Sequence, residues 1–274
     1  MSVLWGILIV VVADAVAVAV MLFVRRQAPA GGYFSDSDRA SGVFGVLATG
    51  FAIFAGFVIF LAFTAYDNSR AGAEQEAQAL LQQYQSAQFL PVSVRPRVTG
   101  ELICFGRSVV RQEWPVMKAG GTVEALNPWG IGLLRIMQSV APKTAAQQSA
   151  YDRFFDQQRA REDGRRDRIH ASEGIIPISL WVVLTLLAVT LFAYVLFYAD
   201  SAELARSQAM MIGSVTTALV VTLFAVYTLN RPYRTDFGGL KPVAMERSLS
   251  VLDEARTTLG DSSPLPCDSR GAAR

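Results

Sequence analysis

Four stretches of this chain, residues 3–24, 42–66, 176–198 and 209–229, are each long and apolar enough to cross a bilayer, which takes about 20 residues of helix. Inside them stands one formal charge, Asp14. A buried helix of a soluble core is shorter and carries a polar stripe, which these runs lack. In hydrocarbon the backbone must satisfy its own hydrogen bonds, so the runs are read as membrane-spanning helices. The first is not read as a cleaved signal peptide, because it is too long, lacks a basic start and has no A-x-A-like site before Arg25.

Composition removes several function classes. Only 18% of the 274 residues are charged, against about a quarter in ordinary soluble domains. The single histidine, His170, excludes multi-histidine metal sites, and two cysteines, Cys104 and Cys267, cannot supply a four-thiolate zinc site or a multi-bridge disulfide scaffold. A formal charge of +2 gives no signature for nucleic acid. No phosphate-cradling glycine loop, HExxH or GxSxG occurs, so no catalytic residue, metal or cofactor is expected and the chain is not read as an enzyme. Cys104 sits in an apolar helical stretch and reads as a core thiol.

The positive charges set the expected orientation. Arg25, Arg26, Arg39 and Arg206 lie on one side of the spans. On the other lie Arg70, Arg159, Arg161, Arg165, Arg166, Arg168, Arg231, Arg234, Lys241 and Arg247, ten against four. Both termini and segment 67–175 are therefore expected in the cytoplasm, although the Arg25-Arg26 pair pulls the other way.

Segment 67–175 is far too long for a loop and reads as a helical domain. Ala73, Ala77, Leu80, Tyr84 and Ala87 continue the second span as one long helix, closed at Pro91. Thr99 is expected to cap a helix ending near Trp114-Pro115, and Asn127-Pro128 to start another running to about Val140. A fourth begins near Thr144 and runs through the basic stretch that ends at His170, where the arginines are expected to meet anionic headgroups. After a turn-rich crossing, Met245, Leu249, Leu252 and Leu259 mark an amphipathic helix. Residues 260–274 are expected to be disordered. The fold class is an all-α integral membrane protein, divided into 1–66, 67–175, 176–229, 230–259 and the 260–274 tail.

The second span is the unusual element. Gly45, Ala48, Thr49, Ala52 and Gly56 fall on one side of it and would admit a close neighbour. An adjacent stripe holds Val46, Ile53, Phe57, Phe60 and Thr64, and copies gathered around an axis would stack these side chains into apolar rings that gate by dewetting. Lipid-facing phenylalanines, or a rival stripe through Phe54, Val58 and Leu61, fit the same wheel. Asp14 costs roughly 2.5–3.5 kcal/mol near the midplane, so it should face the bundle interior, with Ser214, Thr216 or Thr217 as partner. It is either an ion- or proton-interacting group or a packing contact. Gln75, Gln78, Gln82 and Gln85 line one face of the long helix and read chiefly as a solvated surface.

Over residues 1–255 the chain resembles the bacterial bestrophin-like domain family. The resemblance is carried by EQEAQALLQQYQSAQFLP (74–91), by LICFGRSVVRQEWPVM (102–117) with Glu113, Trp114 and Pro115, and by LNRPY (229–233) with Asn230 and Pro232. That family is distantly similar to bestrophins, pentameric ion channels whose second helix lines an apolar neck. The resemblance implies a homo-oligomer, a pentamer, in the inner membrane, with permeating ions and the lipid bilayer as its other partners. It places Ile53, Phe57, Phe60 and Thr64 at the neck and gives the motif residues a scaffold role. The acidic run that clasps calcium in animal bestrophins is lacking, since only Asp236 follows Arg234, so no calcium clasp is expected. Two rivals stand beside the channel: a non-conducting scaffold or sensor that binds a partner through its cytoplasmic helices, and a proton-coupled transporter using Asp14.

Overall fold

A computed structural model describes residues 3–123, 126–170, 172, 174–234 and 238–274. Its elements are α1 (Val3–Gln27), α2 (Ser37–Ala87), α3 (Arg95–Ser108), a π turn (Val109–Glu113), α4 (Trp114–Ala119), α5 (Pro128–Gln138), α6 (Ala145–His170), α7 (Ile178–Leu196), α8 (Ala205–Leu229) and α9 (Val243–Thr258). Among the described residues there is no strand, and the one bridge pairs Cys267 with Ala273. Four helices, α1, α2, α7 and α8, are long and apolar enough to cross a membrane. The all-α reading and the four spans stand.

The chain divides into two compact units. The first takes Met1–Ala65, Gly174–Arg231 and Thr235–Gly238; the second takes Tyr66–Glu173, Pro232–Arg234 and Gly239–Arg274.

In the first unit, one face of α2 (Phe51, Ala55, Val58) packs against Leu184, Ala188 and Leu191 of α7 and Leu219 and Val226 of α8. Ala17 and Met21 of α1 meet Val195 and Ile212 in a second cluster. Arg25 does not sit as a free surface charge. It donates from Nε to the Asp200 carbonyl (3.1 Å) and from Nη2 to Ser201 (3.1 Å) and Glu203, satisfying carbonyls of the loop between α7 and α8. Asn230 closes the turn into α7, its Oδ1 accepting from the Ile175 and Ile176 amides at 2.7 and 2.8 Å.

In the second unit, the end of α2 and α6 cross through a pair of glycines. A Cβ on Gly72 would lie 2.7 Å from the Gly164 carbonyl oxygen, and one on Gly164 would lie 2.6 Å from that of Gly72. Only hydrogen fits at both positions. This contact brings the buried faces of α2 (Glu76, Leu80, Gln83) and α6 (Phe154, Arg161, Arg168) together.

Three sequence expectations are corrected here. Thr99 does not cap α3. The helix begins four residues earlier, with Pro96 in its first turn, and Thr99 is buried with its hydroxyl donating back to the Arg95 and Pro96 carbonyls. The helical path also does not end at Trp114-Pro115. Pro115 has no N–H to give, but the wider π turn carries the chain past it into α4, which stops at Gly120 in the left-handed region (φ 84°).

The third correction concerns the tail. Residues 260–274 are anchored rather than disordered, and Cys104 is not a free core thiol. A disulfide joins Cys104 to Cys267 with Cα atoms 5.8 Å apart. Around it, Trp129 Nε1 donates to the Gly271 carbonyl (2.8 Å), and Arg107 and Gln112 donate to the carbonyls of Asp268 and Arg270. A polar composition predicts too little apolar burial to order a segment, but one covalent link and backbone acceptors hold this one.

Candidate functional site: the outward stripe of α2 and a buried arginine network

In the first unit, α2 turns Phe51, Ala55, Val58 and Ala62 inward. On a helix of 3.6 residues per turn, Ile53, Phe57, Phe60 and Thr64 lie on the opposite side. All four are exposed, Ile53, Phe57 and Phe60 by 70%, 57% and 64%. The hydroxyl of Thr64 donates to the Phe60 carbonyl (2.9 Å), so the stripe presents almost no free polar group. The rival stripe is broken by the packing, because Val58 is fully buried and Phe54 leans on the same cluster. Beside the aromatic stripe, Gly45 and Gly56 have nothing within 4 Å of where a Cβ would stand.

Asp14 accepts a hydrogen bond from the Thr217 hydroxyl at 2.7 Å, while its Oδ1 is buried without a donor. Of the three partners expected in the fourth span, Thr217 is the one the structure brings to it.

The second unit holds a buried ionic network that the linear sequence conceals. Arg161, Arg165 and Arg168 share one face of α6 by their spacing of four and three residues. They turn inward rather than toward headgroups, which corrects the reading of the basic run as a lipid anchor. Arg168 donates from Nε and Nη2 to the two oxygens of Glu76 (2.5 and 3.1 Å) and from Nη2 to Glu113 Oε2 (2.6 Å). Glu113 Oε1 accepts from Arg165 (2.9 Å) and from Asn127 Nδ2 (3.0 Å). Arg168 also lies over the Trp114 ring, 5.4 Å from its centroid. Of the run, Arg166 stays exposed, paired with Asp163.

Burial pushes the Glu113 carboxyl up, but Arg168 and Arg165 outweigh it and hold the group below the ordinary carboxylate range. For Glu76 burial prevails over Arg168 and raises the carboxyl. Burial alone would lower Arg168, yet Glu76 and Glu113 raise it, so its charge is secure.

The motif residues support this network. Trp114 Nε1 donates to the Leu240 carbonyl (3.2 Å), and its ring meets that of Tyr233 edge-on at 5.5 Å. The Tyr233 hydroxyl donates to the Arg168 carbonyl (2.6 Å). Pro115 carries the chain on from the π turn, and the Pro232 carbonyl accepts from the Leu240 amide (2.8 Å). Asp236, the one acid expected after the turn, lies outside the described residues.

A family model described as the Bestrophin-like domain matches residues 7–238. The chain belongs to the Bestrophin-like family. Its fold is that of crystal structures of a bacterial Bestrophin homolog from Klebsiella pneumoniae. One, carrying a single substitution, superposes with a TM-score of 0.66 at 13% identity, over 94% of this chain and 100% of that one. Another, solved by Zn-SAD phasing, gives 0.63 at 14% identity, over 92% and 99%. No curated protein matches. Within this Bestrophin-like chain, sequence reading found Glu113 and Trp114 but missed their partners. The available signals were the one-face spacing of the three arginines and the place of Glu76 among the apolar positions of α2.

Proposed function

We propose that the protein is an ion channel built as a homo-oligomer, a pentamer, in which copies of α2 meet about a central axis. Ile53, Phe57, Phe60 and Thr64 line its neck, and the small residues beside them let adjacent copies approach. The observation that carries this reading is the unpartnered stripe on α2, directly opposite the face that the chain itself buries. Stacked apolar rings of this kind close a pore by dewetting and open it by small displacements. Family membership supports the same reading. Calcium has no part in it, since the turn after α8 offers too few carboxylates for a clasp.

The second unit faces the cytoplasm of an inner membrane in this proposal. The arginine balance favours that side, and the opposing Arg25 is accounted for by its carbonyl contacts. The Cys104–Cys267 bridge opposes it, because disulfides persist mainly in oxidising compartments.

Native mass spectrometry of the detergent-solubilised protein, followed by ion flux into liposomes, tests the channel. Five copies with flux are expected. A monomer or dimer without conductance would transfer the case to a membrane scaffold whose helices bind a partner.

A further inference from the structure

Among the described residues, the buried network of the second unit contains one more cation than it can pair. Glu76 gives both oxygens to Arg168, and Glu113 gives one to Arg168 and the other to Arg165 and Asn127. Nothing is left for Arg161. Its side chain is 2% exposed, its Nε and Nη1 donate to no acceptor, and its guanidinium lies over the Phe105 ring, 4.3 Å from the centroid. An unpaired buried charge is among the more costly features a fold can carry. Burial accordingly lowers its pKa to about 10, with Glu76 and Glu162 opposing and Arg165 reinforcing.

Arg161 borders a cavity of about 200 Å³ between α3, α5 and α6. Its walls are mainly apolar: Phe105, Leu126, Ile131 and Leu134, the last three partly open to solvent. Gln158 also lines it and keeps a buried Oε1 without a donor. Water alone would suit a small polar hole, but a largely apolar hollow whose rim sets two cations, Arg161 and Arg165, against one carboxylate, Glu162, matches an amphiphilic anion.

We propose that this cavity binds a small organic acid, whose carboxylate neutralises Arg161 and whose short aliphatic body lies on Ile131, Leu134 and Leu126. Gln158 Oε1 accepts a hydrogen bond where the acid also carries a hydroxyl or ammonium group. The fit follows from the unpaired donors and the lining, and it does not depend on the channel reading.

Thermal unfolding of the purified full-length protein in detergent, titrated with hexanoate, tests the site. Sodium chloride and hexanol serve as arms for charge alone and for the aliphatic body alone. Hexanoate should raise Tm saturably, with neither control doing so. Arg161→Gln, which removes an unpaired charge and is expected to fold, should abolish the shift, and Leu134→Trp, which fills the cavity, should do the same. Arg166→Gln, on the exposed side of α6, should keep it. No saturable shift with hexanoate, an equal shift with chloride or hexanol, or a shift that survives both Arg161→Gln and Leu134→Trp would overturn the proposal.

Discussion

Glu76 and Arg168, 92 residues apart in sequence, meet as a two-pronged ion pair in which the arginine side chain is 0% and the glutamate side chain 1% exposed. The two helices that carry them touch backbone to backbone at Gly72 and Gly164, one turn away on each helix. Close approach and charge pairing are therefore one arrangement. The glycines bring the helices near enough for the pair to form, and the pair offsets part of the cost of carrying both charges into the core.

Replacing Arg168 by alanine should leave Glu76 and Glu113 buried without their shared cation. Breaking a buried pair from one side costs about 3–5 kcal/mol. Thermal unfolding in detergent should show a large drop in Tm, and Arg168→Lys should restore little, because a single ammonium cannot reproduce the fork that spans both carboxylates. A Tm within error of the parent for Arg168→Ala would remove the network from the fold's support.

Gly72→Ala separates close approach from helix propensity. Alanine in a helix interior is favoured over glycine by about 1 kcal/mol. Here the added methyl would press on backbone atoms of α6, and overpacking costs about 1–3 kcal/mol. The net effect should be destabilising, whereas Gly42→Ala, which meets nothing within 4 Å, should be neutral or stabilising. Comparing the two variants by denaturant or thermal unfolding decides it.

Acid should weaken the second unit through Glu113. Its carboxyl titrates below the usual 4.5 in the fold, so it contributes stability above that value and loses it as pH falls through the folded value. Glu76, raised by burial, works in the opposite direction, losing its contribution as pH rises through its folded value. Glu113→Gln should therefore flatten the acid limb of a Tm-against-pH profile, and Glu76→Gln should not. An acid limb of unchanged slope in Glu113→Gln would contradict the assignment.

The proposed neck residues and the core residues of α2 make contrary predictions. Phe57→Ala should widen the constriction and raise ion flux in liposomes while Tm stays near the parent value. Val58→Ala, at a fully buried position, should lower Tm by opening a void in the packing of the first unit. Unchanged flux in an intact, inserted Phe57→Ala protein would take Phe57 out of the neck.

Reducing the Cys104–Cys267 link should loosen the tail and uncover Trp129, whose indole is held by the Gly271 carbonyl. A red shift of tryptophan emission with dithiothreitol, absent in Cys267→Ser, is the expected result. Thiol labelling in intact cells, with and without prior reduction, then reports the compartment of this unit. Labelling by a membrane-impermeant reagent only after reduction would place it outside the cytoplasm.

What the sequence made legible was local. Length and apolarity marked the spans, Asn127-Pro128 marked the start of α5, and the side of Asp14 that meets Thr217 followed from the cost of a bare carboxylate in hydrocarbon. What it hid was pairing at long range. The arginines of α6 looked like a surface run because charge alone does not say which way a face turns, and their partners stand on α2 and in the π turn. The single bridge escaped for the same reason, since two cysteines 163 residues apart carry no signature of meeting. Pro115 misled because proline stops an α-helix, whereas a π turn absorbs it.

The second unit is assembled from a middle segment and the C-terminal segment of the chain, with α7 and α8 inserted between them and its bridge closed at Cys267. During synthesis, α3 and the π turn must therefore leave the ribosome long before α9 exists to cover them. Leu249, which presses against Gly106, arrives only after the last two apolar helices have been translated. The nascent protein must shelter that uncovered surface throughout, so an early stop codon after α8 would yield a chain that enters the bilayer with its polar half unfinished.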